Sequence, residues 1–180
     1  MVILPVDSAA HGRPGSGAFP ARLRRAAPSV GTALAGAVLW GSAMGASAYA
    51  NLFLDAWETP AKLQFVAVLF VAGGALAFPL GLFLARLLSE RRRAEASFAA
   101  GFISFAAATV AVTALLYAIQ YRSYYSAWHA EAFSITWAFQ LVFTTLAALY
   151  QFLVLGVRLF FPFGFLALFA AALWFARSPR

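Results

Sequence analysis

The sequence predicts an all-α, multi-pass transmembrane helical bundle, and three observations lead to this fold class. Apolar residues make up 63% of the 180-residue chain, whereas soluble proteins contain about 45–50%. Charged residues make up only 11%, against about 25% in soluble domains. The apolar residues also fall into long blocks, which short charged or polar loops separate. A soluble chain of this size could not bury so much apolar surface, so soluble enzymes, disordered chains and nucleic-acid-binding domains are poor candidates.

The charge and cysteine content narrow the chemistry further. Thirteen Lys and Arg residues against six Asp and Glu residues give a net charge of +7. On a soluble protein this excess would suggest nucleic acid, but here the basic residues flank the apolar blocks, as residues that set membrane topology do. The absence of cysteine excludes thiol redox chemistry, cysteine-held zinc and iron–sulfur clusters. We therefore expect the lipid bilayer as a partner and no nucleic acid.

The N-terminal residues 1–29 are mostly small or polar and contain four prolines and four arginines. This composition predicts a disordered, basic tail. The cluster Arg22-Leu23-Arg24-Arg25 adjoins the first apolar block, where it can lie near anionic lipid headgroups. We expect the tail to stay in the cytoplasm and to anchor the first membrane helix.

The first membrane helix is predicted over residues 30–50, because about 20 apolar residues are enough to span a bilayer. One alternative stays open. A basic region, an apolar stretch and the small residues from Gly45 to Ala50 also resemble a signal peptide with its cleavage site. We favour the uncleaved helix, since the basic region is unusually long for a signal peptide and the later blocks predict a multi-pass protein.

Four further helices complete the predicted membrane domain, which covers residues 30–176 and leaves residues 177–180 as a short polar tail. The last apolar stretch, residues 133–175, is too long for one crossing, and Arg158 and Pro162 interrupt it. We therefore divide it into two helices, of which the second is slightly short for a crossing. This short helix either spans the membrane, which we favour, or enters it and returns. The predicted helices after the first cover residues 63–88, 98–121, 133–157 and 159–175.

The distribution of basic residues predicts a cytoplasmic N-terminus, and we expect the protein to lie in a bacterial inner (plasma) membrane. With five crossings, nine basic residues lie on the N-terminal side and four on the other side, and positive charge favours the cytoplasm. If the last segment returns instead of crossing, Arg177 and Arg180 move to the N-terminal side and the ratio becomes eleven to two. This sharper bias is the main argument against five crossings.

Two stripes of small residues predict where helices pack closely. Gly and Ala recur at four-residue intervals in the first and second predicted helices, which places them on one face and lets neighbouring backbones approach. We favour packing of the first helix on the second within the chain, and the alternative is contact with a partner subunit. The stripes comprise Ala37, Gly41 and Gly45 in the first helix and Gly73, Ala77 and Gly81 in the second.

Two polar rows run along the third and fourth predicted helices. Offsets of four and then seven residues place the members of each row on one helical face. Polar groups in hydrocarbon need partners, so we favour a seam of interhelical hydrogen bonds, and the alternative is a polar path for a small solute or a quinone headgroup. The rows comprise Thr109, Thr113 and Gln120 in the third helix and Gln140, Thr144, Gln151 and Arg158 in the fourth.

Candidate catalytic or metal-binding side chains lie mainly in the loops opposite the N-terminal side. Their spacing matches no metal or catalytic pattern, so we predict a hydrated rim with no catalytic residue, metal or cofactor. Because His11 and His129 both lie outside the apolar blocks, a haem with two axial histidines is not expected in the membrane. The rim comprises Asp55, Glu58, Arg122, His129 and Glu131, and an aromatic belt surrounds it with Trp57, Tyr121, Tyr124, Tyr125, Trp128 and Trp137.

The expected function follows from this lack of chemistry. We expect a non-enzymatic inner-membrane protein that acts as an accessory or assembly subunit, or as a small homo-oligomer, and that packs through its Gly and Ala faces. One alternative is a component of a small-solute channel or transporter that uses the Thr and Gln rows. A second alternative is a lipid- or quinone-binding membrane protein that uses the aromatic rim.

Overall fold

The computed structural model describes residues 18–56, 59–89 and 93–178, and these residues form six α-helices without any strand. The helices are α1 (Ala18–Ala26), α2 (Val30–Leu54), α3 (Pro60–Leu88), α4 (Ala94–Tyr125), α5 (Ile135–Gln151) and α6 (Phe163–Arg177). A 3-10 turn follows α4 at Ser126–Trp128. A π-helical segment (Phe152–Gly156) and a 3-10 turn (Val157–Phe160) separate α5 from α6.

Four helical segments are long and apolar enough to cross a membrane: Val30–Leu54, Pro60–Leu88, Ala94–Trp128 and Ile135–Phe160. The prediction of an all-α helical bundle is therefore confirmed, and the chain is a multi-pass membrane protein. Helices α2, α3 and α4 are longer than the sequence suggested, whereas α5 and α6 are shorter. The 32 residues of α4 extend about 48 Å at 1.5 Å per residue, which exceeds the thickness of a bilayer's hydrocarbon core, about 30 Å.

The prediction of a disordered tail over residues 1–29 is wrong for its last part, because Ala18–Ala26 form α1. Pro20 lies in the first turn of α1, where proline is tolerated because the backbone N–H has no helical partner. The helix packs on α3 through the buried Ala26, and the Arg86 guanidinium donates a hydrogen bond to the carbonyl oxygen of Ala27 (3.0 Å). The first seventeen residues lie outside the described part of the chain.

Helices α2, α3 and α4 form consecutive antiparallel pairs and define two ends of the bundle. We call the end where α2 begins and α3 ends the basic end, and the opposite end, where α4 ends among Tyr and Trp side chains, the aromatic end. Two buried clusters fill the core. One lies towards the basic end around Trp40, Phe78 and Phe105, and the other lies towards the aromatic end around Phe70 and Phe152.

Helix α6 runs antiparallel to α4 and ends at the basic end. Near the beginning of α6, the ring of Phe165 lies 5.9 Å from that of Phe102. One turn later in α6, the ring of Phe169 lies 5.3 Å from that of Phe98, which is one turn earlier in α4. This direction differs from the favoured expectation of five crossings, in which α6 would run towards the aromatic end. The alternative, in which the last segment enters the membrane and returns, is not seen either, because α6 is a single helix that runs in one direction. The structure shares with that alternative only the position of the end of α6, on the N-terminal side.

Helix α5 starts at the aromatic end and runs back beside the final turns of α4. The Arg122 guanidinium lies 5.7 Å from the ring centre of Trp137 near the start of α5, and the Tyr117 hydroxyl donates a hydrogen bond to Gln151 at its end (3.0 Å). Helices α5 and α6 therefore run in the same direction, one after the other. Together they form one interrupted helix, and we call the interruption, residues 152–162, the break.

Candidate functional site

The break lies against α2 and brings irregular backbone into the apolar bundle. Backbone groups that leave a helix inside a membrane need other partners, and proline at position 162 provides no N–H and favours an extended residue before it. Phe161 is indeed extended, with φ −99° and ψ 143°. The break is therefore where helical hydrogen bonding is lost and where side chains of α2 can replace it.

A polar row on α2 holds the break in place. The Ser47 hydroxyl donates to the carbonyl oxygen of Leu159 (2.9 Å) and accepts from the backbone N–H of Gly164 (3.1 Å). The Asn51 side-chain amide donates to the same carbonyl (3.2 Å). One turn further, the Asp55 carboxylate pairs with Arg158 at 3.4 Å, and both side chains are about half exposed. Ser47 and Asn51 are not among the residues that the sequence singled out, although Ser47, Asn51 and Asp55 follow one another at intervals of four residues.

A cavity of about 210 Å³ lies beside the break, between α2, α4 and α6. Its walls are almost entirely hydrocarbon. The two polar side chains among them pair with each other, because the Trp40 indole N–H donates to the Thr109 hydroxyl (2.9 Å). Both residues are buried. The walls comprise Trp40, Met44, Ala106, Thr109, Val110, Val157, Phe160, Phe161, Gly164, Phe165 and Leu168.

The small-residue stripe of the first membrane helix faces α3 in the structure. A Cβ atom at Gly41 would lie 2.7 Å from the carbonyl oxygen of Val71, so the two backbones are in direct contact there. Gly45 packs against the Val71 side chain, and Ala37 is half-buried.

The stripe on α3 faces a different neighbour, α4. Gly73 packs against Thr113, and a Cβ atom at Gly81 would lie 2.8 Å from the ring of Phe105. Ala77, between them, is fully buried. The second stripe therefore packs on the third membrane helix and not on the first.

The structure does not bring the two predicted polar rows together as one seam. Thr109 bonds to Trp40 of α2, Thr113 lies against α3, and Gln120 is exposed. The two glutamines of the second row bond to different parts of the chain. Gln140 accepts from the backbone N–H of Ala130 in the loop before α5 (2.8 Å), and Gln151 accepts from Tyr117. Thr144 donates to a carbonyl of its own helix, and Arg158 lies in the break. Of the bonds named here, the one between Tyr117 and Gln151 joins the two helices that carry the rows.

The side chains of the aromatic end have separate environments. Arg122 lies over Trp137, and the buried ring nitrogen Nδ1 of His129 has no hydrogen-bond partner within the described residues. Glu131 is exposed. Across residues 18–56, 59–89 and 93–178, no three His, Asp or Glu side chains come close enough to hold a metal ion. The predicted rim residue Glu58 and the predicted belt residue Trp57 lie outside the described residues.

Several residues of the predicted aromatic belt contact one another at the end of α4. Ring centres of Tyr121 and Tyr125 lie 4.7 Å apart, and those of Tyr124 and Trp128 lie 5.6 Å apart. Offset and tilted rings at these separations attract each other. The break, its contacts with α2 and the adjoining cavity form the candidate functional site.

No family model matches the chain, and neither a curated protein nor a solved structure does.

Proposed function

We propose that the protein is a non-enzymatic subunit of a bacterial inner-membrane assembly, which binds a partner membrane helix through α5. The observation that supports this proposal is the poor packing of α5. Only Ala148 of its 17 residues is buried, whereas α2 buries seven residues and α3 and α4 bury nine each. A helix that is integrated into its own bundle would be expected to bury a comparable share.

The stripes of small residues leave no equally good surface for a partner. Gly41 is covered by α3, and Gly73 and Gly81 are covered by α4. A partner helix could reach these residues only by displacing a helix of the same chain. We therefore propose a contact surface on α5 and not on the Gly and Ala faces, where the sequence suggested it.

The polar and cation–π contacts of α5 with the rest of the chain lie in its first two turns and at its last residue. Gln140 bonds to Ala130, Trp137 packs under Arg122, and Gln151 bonds to Tyr117. Its middle presents large apolar side chains outward. Membrane helices associate through van der Waals packing, so a second helix along this surface would supply contacts that the chain itself lacks. The exposed side chains are Ile135, Phe139, Val142, Phe143, Leu146 and Tyr150.

We also propose that the basic end faces the cytoplasm. Among the described residues, six arginines and one glutamate lie at this end, whereas the aromatic end has three basic and two acidic residues. Cytoplasmic loops are enriched in Lys and Arg. The charged residues of the basic end are Arg22, Arg24, Arg25, Arg86, Arg93, Arg177 and Glu95, and those of the aromatic end are Lys62, Arg122, Arg158, Asp55 and Glu131.

Photo-cross-linking in native membranes tests the contact through α5. A photoreactive phenylalanine analogue replaces Phe143 of α5, which is 65% exposed, or, as the matched control, Ile103 of α4, which is 61% exposed. We expect a discrete protein adduct from position 143 and only lipid adducts from position 103. An adduct of twice the chain mass identifies a second copy, and another mass identifies a different subunit. Lipid adducts alone from both positions would overturn the proposal.

A further inference from the structure

We infer that the cavity beside the break binds the hydrocarbon tail of a membrane lipid. This inference does not depend on the proposed contact through α5, because the cavity lies between α2, α4 and α6. It rests on four properties of the cavity: the chemistry of its walls, its depth in the bundle, its opening towards the lipid and its size.

The few polar groups of the walls and of the adjoining break are largely paired with one another. The Trp40 indole N–H is used by Thr109, and in the adjoining break the Leu159 carbonyl and the Gly164 N–H are both bonded to Ser47. An ordered water needs two to four polar partners, and cavities without them stay dry and bind apolar molecules. Hydrocarbon is therefore the chemical class that fits.

The depth of the cavity indicates that lipid tails are the hydrocarbon that can reach it. Trp40 and Met44 lie near the middle of α2, which extends over Val30–Leu54, so the cavity lies at the level of the hydrocarbon core when α2 spans a membrane. At this depth the surrounding medium consists of lipid tails. The wall residues Phe161 and Phe165 are also exposed on the outer surface, which makes the cavity continuous with the lipid-facing surface of the bundle.

The size of the cavity favours a single chain over a protein segment. An α-helix with its side chains is about 10 Å across, which is too wide for a volume of about 210 Å³. An engineered apolar cavity of about 150 Å³ already admits benzene. The present cavity is larger and can hold several methylene groups of one acyl chain.

Quenching of Trp40 fluorescence by brominated lipid tests the inference. Bromine quenches tryptophan only at short range, and Trp40 is a wall residue that is only 5% exposed. One protein retains Trp40 alone, with Trp57, Trp128, Trp137 and Trp174 replaced by Phe. A control protein retains only Trp174, which is 48% exposed on α6. Both are reconstituted into phosphatidylcholine vesicles with or without bromine on the acyl chains. We expect strong quenching of Trp174, and a loss of at least half of the Trp40 emission.

Blocking variants show whether the quenching requires the cavity. In the Trp40-only protein, Ala106→Leu places a larger side chain in the cavity, whereas its neighbour Ala107 is exposed and Ala107→Leu serves as the matched control. We expect Ala106→Leu to restore most of the Trp40 emission and Ala107→Leu to leave it quenched. Val110→Phe blocks the same space if Ala106→Leu fails to fold. An unquenched Trp40, or equal quenching in the blocked and control proteins, would overturn the inference.

Discussion

The hydroxyl of Ser47 donates a hydrogen bond to the carbonyl oxygen of Leu159 at 2.9 Å, although 112 positions separate the two residues. The same hydroxyl accepts from the N–H of Gly164, so one side chain serves backbone groups on both sides of Pro162. The two bonds therefore connect α2 to the break and to the first turn of α6. An interruption at this depth is tolerated only where other protein groups satisfy the freed backbone.

Removal of this hydroxyl is expected to destabilise the bundle. Ser47→Ala leaves the buried Gly164 N–H without its partner, and an unsatisfied buried donor costs about 1–3 kcal/mol. The midpoint of thermal unfolding in detergent should fall accordingly. Ser42→Ala is the matched control, because Ser42 lies on the exposed face of the same helix. Equal effects of the two substitutions would contradict the role assigned to Ser47.

The sequence predicts the long helices well and their final arrangement less well, for a physical reason. Apolar length alone indicates a membrane helix, and Arg158 and Pro162 correctly mark where the last apolar stretch is interrupted. Apolar length carries no information on direction, so it does not distinguish a fifth crossing from a helix that continues the fourth. The direction becomes visible only in tertiary contacts, such as the packing of α6 on α4 and the bonds of Ser47 to the backbone of the break. In the sequence, a single serine in an apolar block is indistinguishable from a small packing residue.

Gly41 is predicted to be the most sensitive glycine at the contact of α2 with α3. A Cβ atom there would lie 2.7 Å from the backbone oxygen of Val71 and 3.1 Å from Ala75 Cβ, and backbone cannot move aside as a side chain can. We expect Gly41→Ala to lower the free energy of unfolding by about 1–3 kcal/mol, as overpacking does.

Gly31→Ala provides the control for Gly41→Ala. No atom lies within 4 Å of a Cβ atom at Gly31, in the first turn of the same helix, and alanine gains up to about 0.5–1 kcal/mol over glycine in a helix. The two substitutions should therefore change stability in opposite directions, measured by denaturation in mixed micelles. A loss of similar size for both would show that α2 and α3 are not in backbone contact.

Two threonines of the same helix should respond oppositely to the loss of a hydroxyl. Thr109 accepts a hydrogen bond from Trp40, whereas the buried hydroxyl of Thr113 has no partner among the described residues. We expect Thr109→Val to cost about 0.6 kcal/mol, the average for an interhelical hydrogen bond in a membrane protein. Thr113→Val should be neutral or stabilising, because an unpaired buried polar group is replaced by an apolar one of the same shape.

Combining Thr109→Val with Trp40→Phe should lower the free energy of unfolding by less than the sum of the two single losses. Strict additivity of the two losses would argue against the bond.

The chain should have both described ends on one side of the membrane. Gly101, close to the start of α4, packs against Phe175, close to the end of α6, so the segment after α6 emerges where α1 lies. The protein contains no cysteine, and single cysteines can therefore be labelled without background. We expect Ala27→Cys and Ser178→Cys to react with a membrane-impermeant maleimide from the same side of sealed vesicles, and Ser126→Cys, beyond α4, from the opposite side.

The proposed orientation places residues 27 and 178 in the cytoplasm, where Arg177 adds to the positive charge of the basic end. Labelling of Ser178→Cys together with Ser126→Cys would instead require α5 and α6 to cross separately, and it would contradict the antiparallel packing of α6 on α4.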